Sequence, residues 1–332
     1  MALSFLEQIW HTESKDYVYG MLQPSQVPRS APCVPLRQDA HYVEVILKRM
    51  RIVNVRVGVK KFYGAVQSDM GLLYDSEKVV SFKQVIAPPE LKDVSAASLD
   101  RVIITDQTLL GPTPYRGGPL KVNVALLSVK SVDLAGPYLD VLTNLAGAAG
   151  VSFISAAQPF LKPLGDAMDL LAGGGQHAAR EVQVVTDLRA PVTGTFVVLR
   201  APSDEVVLSD IRLEPDYRLT HANGKDLSKY PYLVLGIEAS AERSDWKGIP
   251  EIKEAFDRVM TAVKGDKPTE VTDALMIFRR TAMMNADLLS DHALALAGQV
   301  KDKVEKIMAK TTKTSLRKRD VDLSLDDLNP FA

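Results

Sequence analysis

The chain has 332 residues, 46% of them hydrophobic and 24% charged, which is enough apolar material for two domains or one large domain with an appendage and rules out a wholly disordered chain. Its 40 basic and 41 acidic residues leave a formal net charge of −1, so no global field draws in nucleic acid or anionic lipid, and a protein partner is the expectation. A single cysteine, Cys33, excludes intramolecular disulfides and a cysteine-based zinc site.

The N-terminus, MALSFLEQIWHTESKDY, lacks the basic start and apolar run of a secretory signal, so a cytoplasmic location is expected. Leu3, Leu6, Ile9 and Trp10 can share one face of a short helix, and the four prolines of 23–35 then forbid regular structure. Residues 1–40 are therefore read as a helix followed by an extended connector lying on the surface. From residue 41 the pattern becomes β: 41–66, 78–86, 99–105 and 120–129 are rich in Val, Ile and Tyr and alternate apolar with polar residues. Strands that follow strands without intervening helices imply antiparallel pairing in a sandwich or barrel.

Between two of these strands, GPTPYRGGP at 111–119 reads as a loop whose shape is held by proline and glycine. Tyr115 and Arg116 at its middle belong to residue types enriched in binding hot spots, which makes them recognition candidates. The plainer alternative has Tyr115 covering a core edge and Arg116 bonding backbone carbonyls.

From 141 to 161 the chain carries no Asp, Glu, Lys, Arg or His. About twenty residues suffice for a helix to cross a bilayer. Asn144, Gln158, Gly147, Gly150 and Pro159, however, make the stretch only moderately apolar. The favoured expectation is a pair of small-residue helices over about 136–175, inserted into the β series and packed on a sheet. The competing one is a membrane or partner segment led by Phe153, Ile154 and Phe160. The run Gly173-Gly174-Gly175 ends the insertion.

β patterns resume in EVQVVTDL, TFVVLR, EVVLSDIRL, DYRLT and PYLVLGIEA, with turns expected at 201–204 and at Asn223-Gly224. The β-rich body thus spans 41–240. Trp246 stands at its junction with a helical subdomain over 249–310, either anchoring the helices or exposed as a recognition residue. The helical stripes are Ile252, Phe256, Val259 and Val263; Val271, Leu275, Phe278 and Ala282; and Leu289, Leu296, Val300, Val304 and Ile307. The last segment, 311–332, has a basic cluster including Arg317, Lys318 and Arg319 and then acidic residues interleaved with leucines such as Leu325 and Leu328. It is expected to be a flexible tail, free to act as a linear motif.

Motifs for chemistry are weak. The triple glycine is followed by Gln176 and His177, which is not a P-loop, and Gly150-Val151-Ser152-Phe153-Ile154 lacks the second glycine of a nucleophile elbow. His11, His41, His177, His221 and His292 are scattered without a zinc spacing. The fold class expected is α+β: an antiparallel β-sandwich-like body with an inserted helical pair and a C-terminal helical subdomain. The function expected is a non-enzymatic interaction or regulatory protein of a multi-protein cytoplasmic system, with no cofactor and no metal. The alternatives are a membrane-active effector that uses 136–175 after activation, and a hydrolase whose residues gather only in space.

Overall fold

Alternating apolar residues build two antiparallel sheets in the computed structural model, which describes residues 17–28, 32–53, 56–57, 60–75, 78–86, 103–130, 178–265, 267–311 and 323–331. In chain order the strands are β1 (Tyr17–Met21), β2 (Tyr42–Arg51), β3 (Arg56–Val57), β4 (Lys60–Asp75), β5 (Lys78–Ile86), β6 (Ile103–Pro114), β7 (Leu120–Lys130), β8 (Ala178–Leu188), β9 (Gly194–Arg200), β10 (Ile211–Leu213), β11 (Leu219–His221) and β12 (Tyr232–Ser240). One sheet has the order β1-β9-β12-β2-β6, and the second runs β3-β4-β7-β8 with β5 also paired to β4. The chain is thus an α+β protein with a sandwich body.

The two sheets share one core. Val43, Val45 and Leu47 of β2, Phe196 and Val198 of β9, and Leu233, Leu235 and Ile237 of β12 meet Val66 and Met70 of β4, Val122, Val124 and Leu126 of β7, and Val182 and Val184 of β8. Full burial of such a side chain stabilises the fold by about 1.5–3 kcal/mol. The first sheet is also covered on its other face. Val197 and Leu199 of β9 and Tyr232 and Val234 of β12 point away from the sandwich, into a second cluster with Ile211, Leu213 and Leu219 of the β10–β11 hairpin. Burial on both faces is why β9 and β12 read as nearly continuous apolar runs, without alternation.

The expected strands differ in several places: Tyr17–Met21, foreseen within the N-terminal helix and connector, is β1 paired to β9, and of the β pattern at 205–213 the strand is Ile211–Leu213, preceded by a 3-10 turn at Leu208–Asp210. Of the two β runs foreseen within 41–66, 41–53 becomes β2 and 55–66 becomes β3 and the start of β4, which continues to Asp75. The stretch foreseen over 99–105 is β6, which runs on to Pro114 through much of the expected loop. Pro112 and Pro114 are tolerated because β6 is an edge strand, where a missing N–H breaks no ladder on the open side. Gly111 has φ +87, and a Cβ there would overlap the Val43 carbonyl of the neighbouring strand.

Three helices follow: α1 (Pro250–Gly265), α2 (Pro268–Met284) and α3 (Ser290–Thr311). Proline at the first position of α1 and of α2 has no N–H to leave unsatisfied there. The stripes expected from the sequence converge: Ile252, Phe256, Val259 and Val263 pack against Val271, Phe278 and Ala282 and against Leu296, Val300 and Val304. Phe256 meets Phe278 edge-on at 6.3 Å.

The final segment corrects the expectation of a free tail. Leu328 is only 4% exposed, and Leu323, Leu325 and Phe331 pack beside it on the helical core. The leucines that are too few to build a core of their own complete one that the helices already provide. The expected helix at 3–10, the insertion at 136–175 with Phe153, Ile154 and Phe160, and Arg317, Lys318 and Arg319 lie outside the described residues.

Candidate functional site

The proline-rich connector forms one wall of a cleft of about 730 Å³. Proline keeps this strap from forming a full strand, and isolated backbone bonds together with side-chain bonds hold it in place. Gln26 is buried and donates from Nε2 to the carbonyls of Leu208 and Ile211, each at 2.8 Å. Farther along, Thr193 N donates to Val34 O at 2.8 Å, and Val34 N donates to Thr193 Oγ1 at 2.8 Å.

Pro24, Val27, Pro32 and Cys33 line the strap side of the cleft, with Ile237 and Ala239 of β12 among the residues opposite. Of its charged members, Lys48 and Glu238 pair at 3.0 Å, while Glu214 accepts from Thr220 Oγ1 at 3.0 Å. Burial works to lower the Lys48 pKa, but the hydrogen bond and charge of Glu238, with Tyr217 and Asp106 adding, hold it above its usual value. His41, also in the lining, is held below its usual pKa by burial and by Arg37. A neutral imidazole and a mutually compensated ion pair suit the binding of a largely apolar group better than proton transfer. Glu205 and Asp216, the described carboxylates with a resolved shift, are both held below the usual range.

The recognition candidates are placed in packing roles. Tyr115 is 5% exposed and donates from its hydroxyl to Gly118 O at 2.6 Å. Arg116 donates to Asp39 Oδ1 at 2.9 Å and to Leu288 O at 2.7 Å, which ties the end of β6 to the loop before α3. Trp246 is 3% exposed, inside the helical core. The side chains that look most like hot spots are therefore committed within the molecule.

They belong to a wider joint that the sequence reading missed. Arg243, fully buried, donates from Nε to Asp245 Oδ1 at 2.6 Å and from Nη1 to Asp287 O at 3.0 Å, and its Nη1 lies 3.4 Å from Oδ1 of the equally buried Asp287. Tyr42 of β2 accepts from Leu289 N at 3.1 Å and lies 2.9 Å from His292 Nδ1, with the two rings stacked at 5.7 Å. The phenol oxygen can both donate and accept, and its contact with Nδ1 takes its direction from the imidazole tautomer. Burial pushes the Tyr42 pKa up to about 12. Burial also lowers the His292 pKa, against the opposing charges of Asp291 and Glu242. Charge spacing in the sequence carries no signal for these pairs, since Arg243 and Asp287 are brought together only by the fold.

One surface among the described residues is open to a partner, and a second is covered by the chain's own last residues. On α2, Met276, Ile277, Met283 and Met284 are 63%, 46%, 43% and 72% exposed. At 3.6 residues per turn they fall within about 120° of one another, opposite the buried stripe, with the exposed Arg280 at the middle of the same face. The second surface is the face of α3 on which the last residues lie. Gln299 Nε2 donates to Asn329 O at 2.6 Å and Asn329 N donates to Gln299 Oε1 at 2.9 Å. Lys303 donates to Asp327 O, Lys247 pairs with Asp326 at 2.8 Å, and Phe331 meets the His292 ring edge-on at 4.7 Å.

Among the described residues, no group of three or more His, Cys, Asp or Glu side chains could hold a metal ion, and no helix is long and apolar enough to cross a membrane. No protein family, curated protein or solved structure matches the chain.

Proposed function

We propose that this protein is a non-enzymatic interaction protein that serves as a regulatory part of a multi-protein cytoplasmic system. The observation that carries the reading is the apolar face of α2. Its buried stripe already satisfies the helical core, so Met276, Ile277, Met283 and Met284 contribute nothing to folding by being apolar. Exposed apolar side chains gathered on one helix face around the exposed Arg280 suit a protein contact, where methionine and arginine are enriched, and methionine adapts its shape to a partner.

The test is a photoreactive residue at position 284, compared with one at the exposed Lys253 of α1, in the full chain expressed in cells. A protein crosslinked from 284 and not from 253, and lost on Met276→Asp, is expected. Identical patterns at both positions would remove the basis of the reading. Substitution at so exposed a methionine changes stability by less than about 0.5 kcal/mol, so loss of the crosslink would report on contact.

One observation favours the membrane-active alternative. β7 and β8 pair from Leu120↔Leu188 to Val129↔Ala178, so their ends are adjacent and a two-residue turn would suffice to join them. Residues 131–177 stand there instead, with the uncharged stretch 141–161 among them. Leakage of dye from lipid vesicles that is abolished by Ile154→Asp would support that reading, because a carboxylate at bilayer depth costs about 2.5–3.5 kcal/mol.

A further inference from the structure

We infer that the α3 face under the last residues is a peptide-docking groove, that residues 323–331 occupy it in cis, and that its partner in trans is a peptide with an acidic turn followed by leucine and an aromatic residue. The occupant's chemistry is on display in the groove. The segment begins with a 3-10 turn, Leu325–Asp327, closed by its own side chains: Ser324 Oγ accepts from Asp326 N at 3.1 Å, and Ser324 N donates to Asp327 Oδ2 at 2.7 Å. It needs little from the helices to hold its shape.

After the turn the chain runs antiparallel to α3, passing Lys303, then Gln299, then His292. Asp327 closes the first turn and Phe331 N donates to Asn329 Oδ1 at 3.1 Å in a second, so Leu328 and Asn329 join two turns across this stretch of α3. The Gln299 side chain meets the backbone of Asn329 with a donor and an acceptor, as a neighbouring strand would. Specificity falls to Leu328, buried in the helical core, and to Phe331 against His292. Lys247 matches the Asp326 carboxylate in charge, and Lys303 donates to the Asp327 carbonyl.

The contact is built to be exchanged. Lys247 and Asp326 are 40% and 82% exposed, so their pairing steers and adds little strength. Tethering raises the local concentration of the segment, and a competing peptide must overcome that advantage. The inference concerns a surface separate from α2, and its test is independent of any partner there.

The probe is a fluorescent peptide of residues 321–332, titrated by anisotropy into the full chain and into the full chain carrying Leu328→Asp and Phe331→Asp. The opened variant is expected to bind at least tenfold more tightly than the unaltered chain. Leu328→Ala in the peptide should remove at least tenfold, and Lys247→Glu in the opened variant should weaken binding a few-fold. A folded opened variant that binds no better than the unaltered chain overturns the inference. If the opened variant does not fold, hydrogen exchange in the unaltered chain decides: exchange at 323–331 that is faster than in α1 and accelerated by added peptide supports the groove, and exchange as slow as in α1 overturns it.

Discussion

His292 links the sandwich, the helices and the last residues, through Tyr42 on one side and Phe331 on the other. Burial lowers its pKa in the folded protein from the ordinary 6.5, so between those two values the unfolded chain binds more protons than the folded one. Stability from this group is therefore complete above pH 6.5 and falls as the pH drops through 6.5 towards the folded pKa. The expected outcome is a melting temperature that declines on acidification below pH 6.5, with a smaller decline in His292→Gln. His41 is shifted in the same direction, so His41→Gln serves as the comparison. Equal pH profiles for wild type and His292→Gln would mean that His292 is not the group responsible.

The helices show how a stripe of apolar side chains becomes an element with a defined inner face. Phe256 is buried against Phe278, and Phe256→Ala removes that contact and leaves a cavity, an expected loss of about 3–5 kcal/mol by chemical denaturation. Lys253, off the buried stripe, is exposed, and Lys253→Ala is expected to change stability by less than about 0.5 kcal/mol. The stripes were legible because a helix repeats its inner face every three to four residues. β6 was not, because its glycines and prolines carry the same local signal as a loop, and only its place at the sheet edge admits them.

Across the molecule, the sandwich and the helices are joined by buried polar groups as well as apolar contact. Arg243 links the chain leaving β12 to Asp287 between α2 and α3, while Arg116 reaches Leu288 from the end of β6. Arg243→Met would take the guanidinium away from the buried Asp287 carboxylate, an expected cost of about 3–5 kcal/mol. Unfolding followed by Trp fluorescence and by far-ultraviolet circular dichroism should coincide in the wild type and separate in Arg243→Met. Coincident transitions in the variant would show that apolar packing alone couples the two parts.

Composition and periodicity sufficed for the α+β class, the antiparallel strands and the inward stripes of α1, α2 and α3, because each depends on neighbours a few residues away in the chain. The uses of individual side chains were decided by tertiary structure. Tyr115, Arg116 and Trp246 have the chemistry of binding residues, and it is burial between elements distant in sequence that commits them to the molecule's own joints. Leu325 and Leu328 look like a free motif until α3 supplies the apolar surface on which they lie. Whether a side chain is free for a partner depends on what covers it, and that is set by contacts between residues far apart in the chain.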